Sequence, residues 1–142
     1  MPVFRLTQEI NRPVADVFDT VIHIENFPAW SPQNPSARRL SSGEIGDGSL
    51  FEMEIKGFGP VRQQLREFER NRRVRIVPDI NTLGGGHRFT FTDLCGRTRV
   101  DHELEMNPKG VFRLMAPMMF VIGRRNLRIT ADALKRHLES AR

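Results

Sequence analysis

Six segments between Ala37 and Met106 have the residue patterns of β-strands, and only short turns separate them. They span residues 37–42, 50–56, 61–69, 73–78, 87–94 and 98–106. Strands joined by short turns pair antiparallel, because a parallel pair needs a crossover of about a dozen residues or more. In the clearest strand, apolar Phe51, Met53 and Ile55 alternate with charged residues. Each strand of this kind has one apolar face that another layer has to cover.

The elements on either side of this meander supply that layer. Val3–Ile10 is predicted as a further strand, and Pro13 then fits the first turn of a helix that continues through Ile22. A second short helix is predicted over residues 24–29. After residue 110, apolar residues recur at offsets of three and four, which is typical of one long amphipathic helix. They are Phe120, Gly123, Leu127, Ala131, Leu134 and Leu138.

This order of elements predicts the fold class α+β. The C-terminal helix is the only long amphipathic element, so a curved antiparallel sheet of about seven strands has to wrap around it. No linker, repeat or low-complexity segment interrupts the pattern, and residues 1–142 are predicted to form a single ligand-binding domain. The triplet Gly84–Gly86 matches no phosphate-binding pattern, and we interpret it as a flexible loop before the fifth strand of the meander.

An internal cavity is predicted from the same order of elements. A strongly twisted sheet and a single helix do not fill the space between them along its whole length. The side chains predicted to line this apolar ligand cavity come from the strands and the beginning of the helix: Phe51, Met53, Ile55, Phe89, Phe91, Leu104, Met106, Met115 and Met119. The same residues would form a solid core in any α+β domain, and this alternative stays open.

Four segments carry a family resemblance in chain order: INRPVADVFDTVIHIENFPAWSP, GDGSLFEMEI, HRFTFTDLCGRTRVDHELEM and NLRITADALKRHLES. Through them the chain resembles the START-like polyketide cyclase/dehydrase and lipid-transport superfamily, also called SRPBCC, over nearly its whole length. The resemblance implies the helix-grip fold with a deep hydrophobic cavity. It also implies roles that range from binding a lipid, quinone, sterol or polyketide to ring closure or dehydration, and the fold does not choose among them.

Three polar residues are candidates for contact with a ligand. Strand parity places His87 on the face of Phe89, and His102 on the face of Leu104. A histidine in an apolar pocket can act as a general acid or base, or donate a hydrogen bond to a ligand carbonyl. The plainer alternative is a histidine at the cavity mouth, bonded to backbone. Gln63 falls on the apolar face of its strand and is predicted as an inward polar contact.

Two apolar groups have alternative interpretations. Trp30 is predicted to pack the short helices against the sheet near the cavity entrance, with a ligand contact as its second role. An adaptable apolar group near the beginning of the long helix comprises Phe112, Met115, Met118, Met119 and Phe120, with Arg113, Arg124 and Arg125 around it. It could form a gate that makes transient contact with a membrane surface while a lipid enters. It could equally be the first turns of a core helix, and we favour the core.

The net charge of +5 comes from 19 arginines and three lysines against 17 acidic residues. The arginines are scattered, and the sequence has no RNP-type aromatic motif, helix-turn-helix signature or zinc finger. We interpret the positive charge as a solvated surface, so nucleic acid is a disfavoured partner. The only cysteine, Cys95, excludes an internal disulfide and a multi-cysteine metal site. No histidine spacing typical of metal catalysis occurs, and we predict neither a metal nor a cofactor.

The location is predicted as cytoplasmic. The N-terminus shows no charged leader followed by an apolar run, and the longest apolar stretch, Met115–Ile122, has eight residues where a spanning helix needs roughly 20. A homo-oligomer is compatible with the sequence.

The leading functional hypothesis is a non-enzymatic binder or carrier of a hydrophobic small molecule such as a lipid, quinone or polyketide-like compound. Apolar burial would supply affinity, and one or two of His87, His102 and Gln63 would set orientation. The first alternative is a cyclase or dehydratase that uses one of the cavity histidines as a proton shuttle. The second is a basic module that binds RNA or a protein through its outer arginines.

Overall fold

One antiparallel sheet of seven strands is formed by the residues that this computed structural model describes, 3–57, 59–78 and 83–140, with the backbone alone at 83, 84 and 112. Its strands are β1 (Val3–Ile10), β2 (Ala37–Arg39), β3 (Leu50–Ile55), β4 (Gly59–Glu69), β5 (Arg73–Pro78), β6 (Leu83–Asp93) and β7 (Thr98–Pro108). Their order across the sheet is β1-β7-β6-β5-β4-β3-β2. The predicted meander is confirmed, with β1 added beside β7.

The helices stand where the sequence predicted them. α1 (Val14–Ile22) begins directly after Pro13, a 3-10 helix follows at Ile24–Ala29, and α2 (Ala116–Ser140) ends the described chain. A further 3-10 helix at Gly110–Arg113 precedes α2. Among the described residues, no helix is both long enough and apolar enough to cross a membrane.

The sheet wraps around α2, which gives the helix-grip arrangement of the α+β class. α2 buries Gly123, Leu127, Ala131, Leu134 and Leu138, which is the stripe predicted from the spacing. At the middle of the helix, Nε2 of Gln8 on β1 donates to the carbonyl of Ala131 at 2.9 Å. Near its end, a guanidinium nitrogen of Arg12 donates to the carbonyl of Leu138 at 2.9 Å. β1 and the turn after it are therefore tied to α2 by polar contacts as well as apolar packing.

The interior is filled by one cluster of apolar side chains. The cluster includes Phe18, Phe51, Val74, Phe89, Phe91, Val100, Leu134 and Leu138, all buried. Phe18 of α1 packs edge to face against Phe68 at 5.4 Å and Phe91 at 5.2 Å between ring centroids. Side chains of the protein itself thus occupy much of the space that the sequence analysis assigned to a ligand cavity.

The triplet Gly84–Gly86, predicted as a flexible loop, is instead part of β6 and pairs with β7, so this prediction is wrong. Gly85 and Gly86 have φ of +100° and +141°, where residues with a side chain are rare. A Cβ at Gly85 would meet the backbone of Glu105, and one at Gly86 would meet the backbone of Ile76. The glycines are present because neighbouring strands approach them closely.

The outer face of the sheet carries arginines that lie beside carboxylates. Arg5 and Glu103 pair at 2.9 Å across β1 and β7, and Arg88 pairs with Glu67 at 3.1 Å across β6 and β4. Arg75 lies 3.5 Å from Glu105. Each such exposed pair contributes about 0–1 kcal/mol to stability. On this face the positive charge of the arginines is therefore largely neutralised by neighbouring carboxylates.

Candidate functional site

The pairing of β6 with β7 brings His87 and His102 together on the inner face. His102 stands opposite Phe89, and His87 stands opposite Leu104. Because side chains alternate between the two faces of a strand, all four point to the same side of the sheet. The two histidines are therefore diagonal neighbours, within reach of one another.

The two imidazoles are hydrogen-bonded to each other. Nδ1 of His87 lies 2.8 Å from Nε2 of His102. The ring of His102 also stacks on Phe89, with the centroids 4.0 Å apart. His102 is 1% exposed, whereas His87 is partly buried. The pair is thus a polar group among apolar neighbours on the inner face of β6 and β7.

Burial keeps both rings neutral near pH 7. It lowers the pKa of His87 to about 4. Burial, and after it the charge that His87 would carry, lowers the pKa of His102 well below its ordinary value. A neutral imidazole has one N–H and one acceptor nitrogen, so one ring donates to the other in the mutual hydrogen bond.

One buried nitrogen of the pair has no partner. Nδ1 of His102 is buried and makes no hydrogen bond in the structure. If His87 donates within the pair, this atom is a buried N–H; if His102 donates, it is a buried lone pair. Either way an unsatisfied buried polar atom costs about 1–3 kcal/mol. A polar ligand atom that reached Nδ1 would recover part of that cost.

Met106 and Gly123 define the contact between this part of the sheet and α2. A Cβ at Gly123 would lie 2.4 Å from Sδ of Met106 and 3.4 Å from Cδ2 of Leu104. Met106 stands opposite Gly85, one diagonal step from His87. The unbranched methionine side chain thus fills the position next to the histidine pair, and it adapts its shape more readily than other apolar side chains.

The structure places most of the predicted lining residues inside. Phe51, Met53, Gln63, Phe89, Phe91 and Leu104 are buried, and Ile55, Met106 and Met119 are partly buried. Of these, Phe89, Leu104 and Met106 lie next to the histidine pair. Gln63 is on β4, two strands away from β6, and its buried Oε1 has no hydrogen-bond partner.

Two sequence predictions on the apolar groups are wrong. Met115 is 44% exposed and Met118 is 54% exposed, so neither belongs to the core or lines the interior. The side chain of Phe112, assigned to the same group, lies outside the described part of the chain. The cause is that the beginning of α2 has apolar residues on two faces, and only one of them meets the sheet.

Trp30 packs against the apolar core from the end of the 3-10 helix and also contacts α2, while its contact with a ligand stays a prediction. Its ring lies 4.7 Å from Phe27 and stacks on His137 at 6.3 Å. A surface groove of about 640 Å³ between the 3-10 helix and the end of α2 is lined by Trp30 and His137. Neither His87 nor His102 lines this groove. The stacking of His137 on Trp30 and the contact of Gly123 with Met106 were not predicted, because they depend on contacts between distant segments.

No metal site accompanies the pair in the part of the chain that the structure describes: no group of three or more His, Cys, Asp or Glu side chains there could hold a metal ion. The site as described is therefore a neutral histidine pair with a buried, unpartnered nitrogen, an aromatic neighbour and a flexible methionine.

The sequence matches the family model described as "Polyketide cyclase / dehydrase and lipid transport" over residues 1–139. No curated protein sequence matches this chain. A START superfamily protein from Mycobacterium smegmatis is 18% identical with a TM-score of 0.78, and the match covers 97% of each chain. A protein from Thermus thermophilus is 16% identical with a TM-score of 0.78 and 98% coverage of each chain.

An aromatase/cyclase from a Streptomyces species is 12% identical with a TM-score of 0.76, and the match covers 97% of this chain and 93% of that one. At these identities the solved structures show a shared fold and nothing finer.

Proposed function

The chain belongs to the polyketide cyclase/dehydrase and lipid transport family, and we propose that it binds a hydrophobic small molecule between the sheet and α2. The observation that carries the proposal is the buried, neutral His87–His102 pair with its unpartnered Nδ1. A ligand that fits has an apolar body and one carbonyl or hydroxyl group, as lipids, quinones and polyketides have.

Affinity for such a ligand would come mainly from apolar surface. Each Å² removed from water contributes about 25 cal/mol before the costs of association. A hydroxyl at Nδ1 of His102 in either tautomer, or a carbonyl where Nδ1 carries the proton, would add a hydrogen bond and relieve the unsatisfied atom. The polar contact therefore sets which way the ligand lies and which ligands are preferred.

Entry of the ligand requires side chains to move, because the interior is occupied by the protein itself. Met106 is the side chain best suited to this movement. It is partly buried, it contacts α2 through its flexible end at Gly123, and it stands beside His87. Moving it opens a path to the histidine pair and leaves the paired strands intact.

Binding is favoured over catalysis by the lowered pKa of His87. A general base works best with a pKa near the operating pH, and a value of about 4 makes His87 a weak base near pH 7. A cyclase or dehydratase of the same fold would need a histidine that takes up a proton during the reaction.

Replacing His102 by leucine is expected to weaken binding of an alkyl naphthoquinone about tenfold and to leave a plain alkane of similar size unaffected. The carbonyl of the quinone loses its polar partner, whereas the alkane uses apolar contacts alone. Isothermal titration or fluorescence quenching measures both affinities, with His137→Leu as the matched control. Equal losses for quinone and alkane, or no loss at all, would contradict the proposed contact.

Replacing Met106 by alanine is expected to tighten binding of the same quinone about tenfold, because the ligand no longer displaces a buried methionine. Met118→Ala is the control, since Met118 is a methionine exposed on α2. Unchanged affinity in the Met106 variant would show that the ligand enters elsewhere or not at all.

A further inference from the structure

A group of large apolar side chains stands in solvent where the chain enters α2. The 3-10 helix Gly110–Arg113, the turn at 114–115 and the first two turns of α2 contribute six of them: Val111, Leu114, Met115, Met118, Val121 and Ile122. Leu114 is 88% exposed and Val111 is 73% exposed. We call these six residues the apolar tip. Single exposed apolar residues are ordinary, but a large grouped patch marks a contact surface.

The part of the apolar tip that belongs to α2 lies on a face of the helix separate from the one that packs on the sheet. At 3.6 residues per turn, Met118, Ile122 and Arg125 project within about 60° of one another. Gly123 and Leu127, which are buried, project on the opposite side. The outward face therefore changes along the helix from apolar residues to arginine.

The charged residues of the segment that contains the apolar tip have one sign. Residues 106–131 contain five basic side chains and no aspartate or glutamate: Lys109, Arg113, Arg124, Arg125 and Arg128. The whole chain has 22 basic and 17 acidic residues, so the remainder holds 17 of each. The entire net charge of +5 thus equals the charge of this one segment.

These five basic residues also differ from the arginines of the sheet in their surroundings. Arg5, Arg75 and Arg88 lie beside carboxylates. None of the ion pairs in the described ranges involves a basic residue of 106–131. Their charge is therefore available to an anionic partner.

We propose that the apolar tip and these five basic residues dock the protein on a bilayer surface that contains anionic phospholipid. Apolar side chains at an interface lie about 5–10 Å into the boundary between headgroups and acyl chains, with basic residues at the headgroups. With the beginning of α2 directed at the bilayer, Arg125 follows Met118 by about 10 Å along the helix. The apolar tip can then insert while the arginines remain at the level of the phosphates.

A groove beside the apolar tip fits the same partner. It has a volume of about 530 Å³ and is lined by Phe4, Phe120, Val121, Arg124, Arg125, Arg128, Ile129 and Asp132. The guanidinium of Arg124 lies over the ring of Phe4 at 5.2 Å. Guanidinium groups bind phosphate oxygens through two parallel hydrogen bonds. An apolar wall next to three arginines thus suits the phosphate and first methylenes of a lipid.

Other partners fit this surface less well. A symmetric dimer through the apolar tip would bring its five positive charges close to the same five of the second copy. A nucleic acid would use the arginines and leave the six apolar residues in water. The docking proposal goes beyond the proposed ligand site, and each can fail without the other.

The test is sedimentation with vesicles of phosphatidylcholine, with and without phosphatidylglycerol. The protein is expected to bind the vesicles that contain phosphatidylglycerol, and high salt is expected to weaken this binding. The double variant Arg124→Gln/Arg125→Gln is expected to lower the partition coefficient about 25-fold, since each charge near the surface is worth about fivefold. Leu114→Glu/Met118→Glu is expected to abolish binding.

The control variants change equivalent residues elsewhere on the surface. Leu94→Glu places an acid at another exposed apolar site, and Arg62→Gln/Arg72→Gln removes two exposed charges from β4 and the turn before β5. Both are expected to bind vesicles as the wild type does. Absence of binding that depends on phosphatidylglycerol overturns the proposal, as does an equal loss in the controls. A dimer in solution that Leu114→Glu/Met118→Glu converts to monomer overturns it as well, as does tighter binding to RNA than to the vesicles.

Discussion

Replacing Gly85 by alanine is expected to lower the free energy of unfolding by about 3 kcal/mol and the melting temperature by about 10 °C. Gly85 has a φ of +100°, which costs a residue with a side chain strain energy. The added Cβ would also lie 2.0 Å from the carbonyl oxygen of Glu105 and 2.6 Å from its carbon. Both atoms belong to the backbone of β7, so relief requires the β6–β7 pairing to open. Urea and thermal unfolding measure the effect.

The matched control is Gly46→Ala. A Cβ at Gly46 would have nothing within 4 Å, and its φ is not in the left-handed region, so its stability is expected to stay close to that of the wild type. A Gly85→Ala variant as stable as this control would show that the close approach of β6 to β7 at Gly85 is not present in solution. It would also argue against the β6–β7 register that brings His87 beside His102, because the close approach at Gly85 and the contact between the histidines depend on the same strand pairing.

The order of strands and helices could be predicted from the sequence, because apolar residues recur at regular spacings along the elements. Phe51, Met53 and Ile55 alternate along β3, and the stripe of α2 recurs at offsets of three and four. Parity alone also placed His87 and His102 on the inner face. These patterns indicate which face of a strand or helix is buried, and this depends only on the residues within that element.

The hydrogen bond between the histidines could not be read in the same way. It depends on which residue of β7 stands opposite Phe89, and that register is fixed by the turn at residues 94–97, where Cys95 and Gly96 have φ of +61° and +98°. A shift of one residue would turn His102 to the outer face. Sequence parity shows the face of a residue, but not its neighbour across the strands.

The errors have related causes. The sequence predicts a loop at Gly84–Gly86 because glycine usually interrupts strands, yet here glycine lets β6 run close to its neighbours. At the beginning of α2, apolar residues occupy both the buried and the exposed side, and a periodic pattern cannot tell which side the sheet covers. Gly123 and Met106, which set the shape of the interior, touch only through the tertiary fold.

Acidification from pH 7 to pH 5 is expected to lower the free energy of unfolding by about 2 kcal/mol through His87 alone. Its pKa is about 4 in the folded protein and ordinarily about 6.5, so below pH 6.5 the unfolded chain binds a proton that the folded chain does not. The contribution of His87 to the free energy of unfolding is fully present above about pH 6.5 and declines as the pH falls toward 4. His102, whose pKa burial also lowers, adds to the decline in the same direction.

Urea unfolding of the wild type and of His87→Gln/His102→Gln at both pH values measures this contribution. The double variant is expected to lose most of the decline, since glutamine does not titrate, whereas His23→Gln leaves the pair intact and should retain it. Glu67, whose pKa is lowered chiefly by its hydrogen bond to Arg88, affects stability only below its ordinary value of 4.5, outside this range. A wild type equally stable at pH 7 and pH 5 would mean that the pair is not buried and neutral. The ligand site proposed around Nδ1 of His102 would then lose its physical basis, because a hydrated or charged histidine has no unsatisfied nitrogen for a ligand to complete.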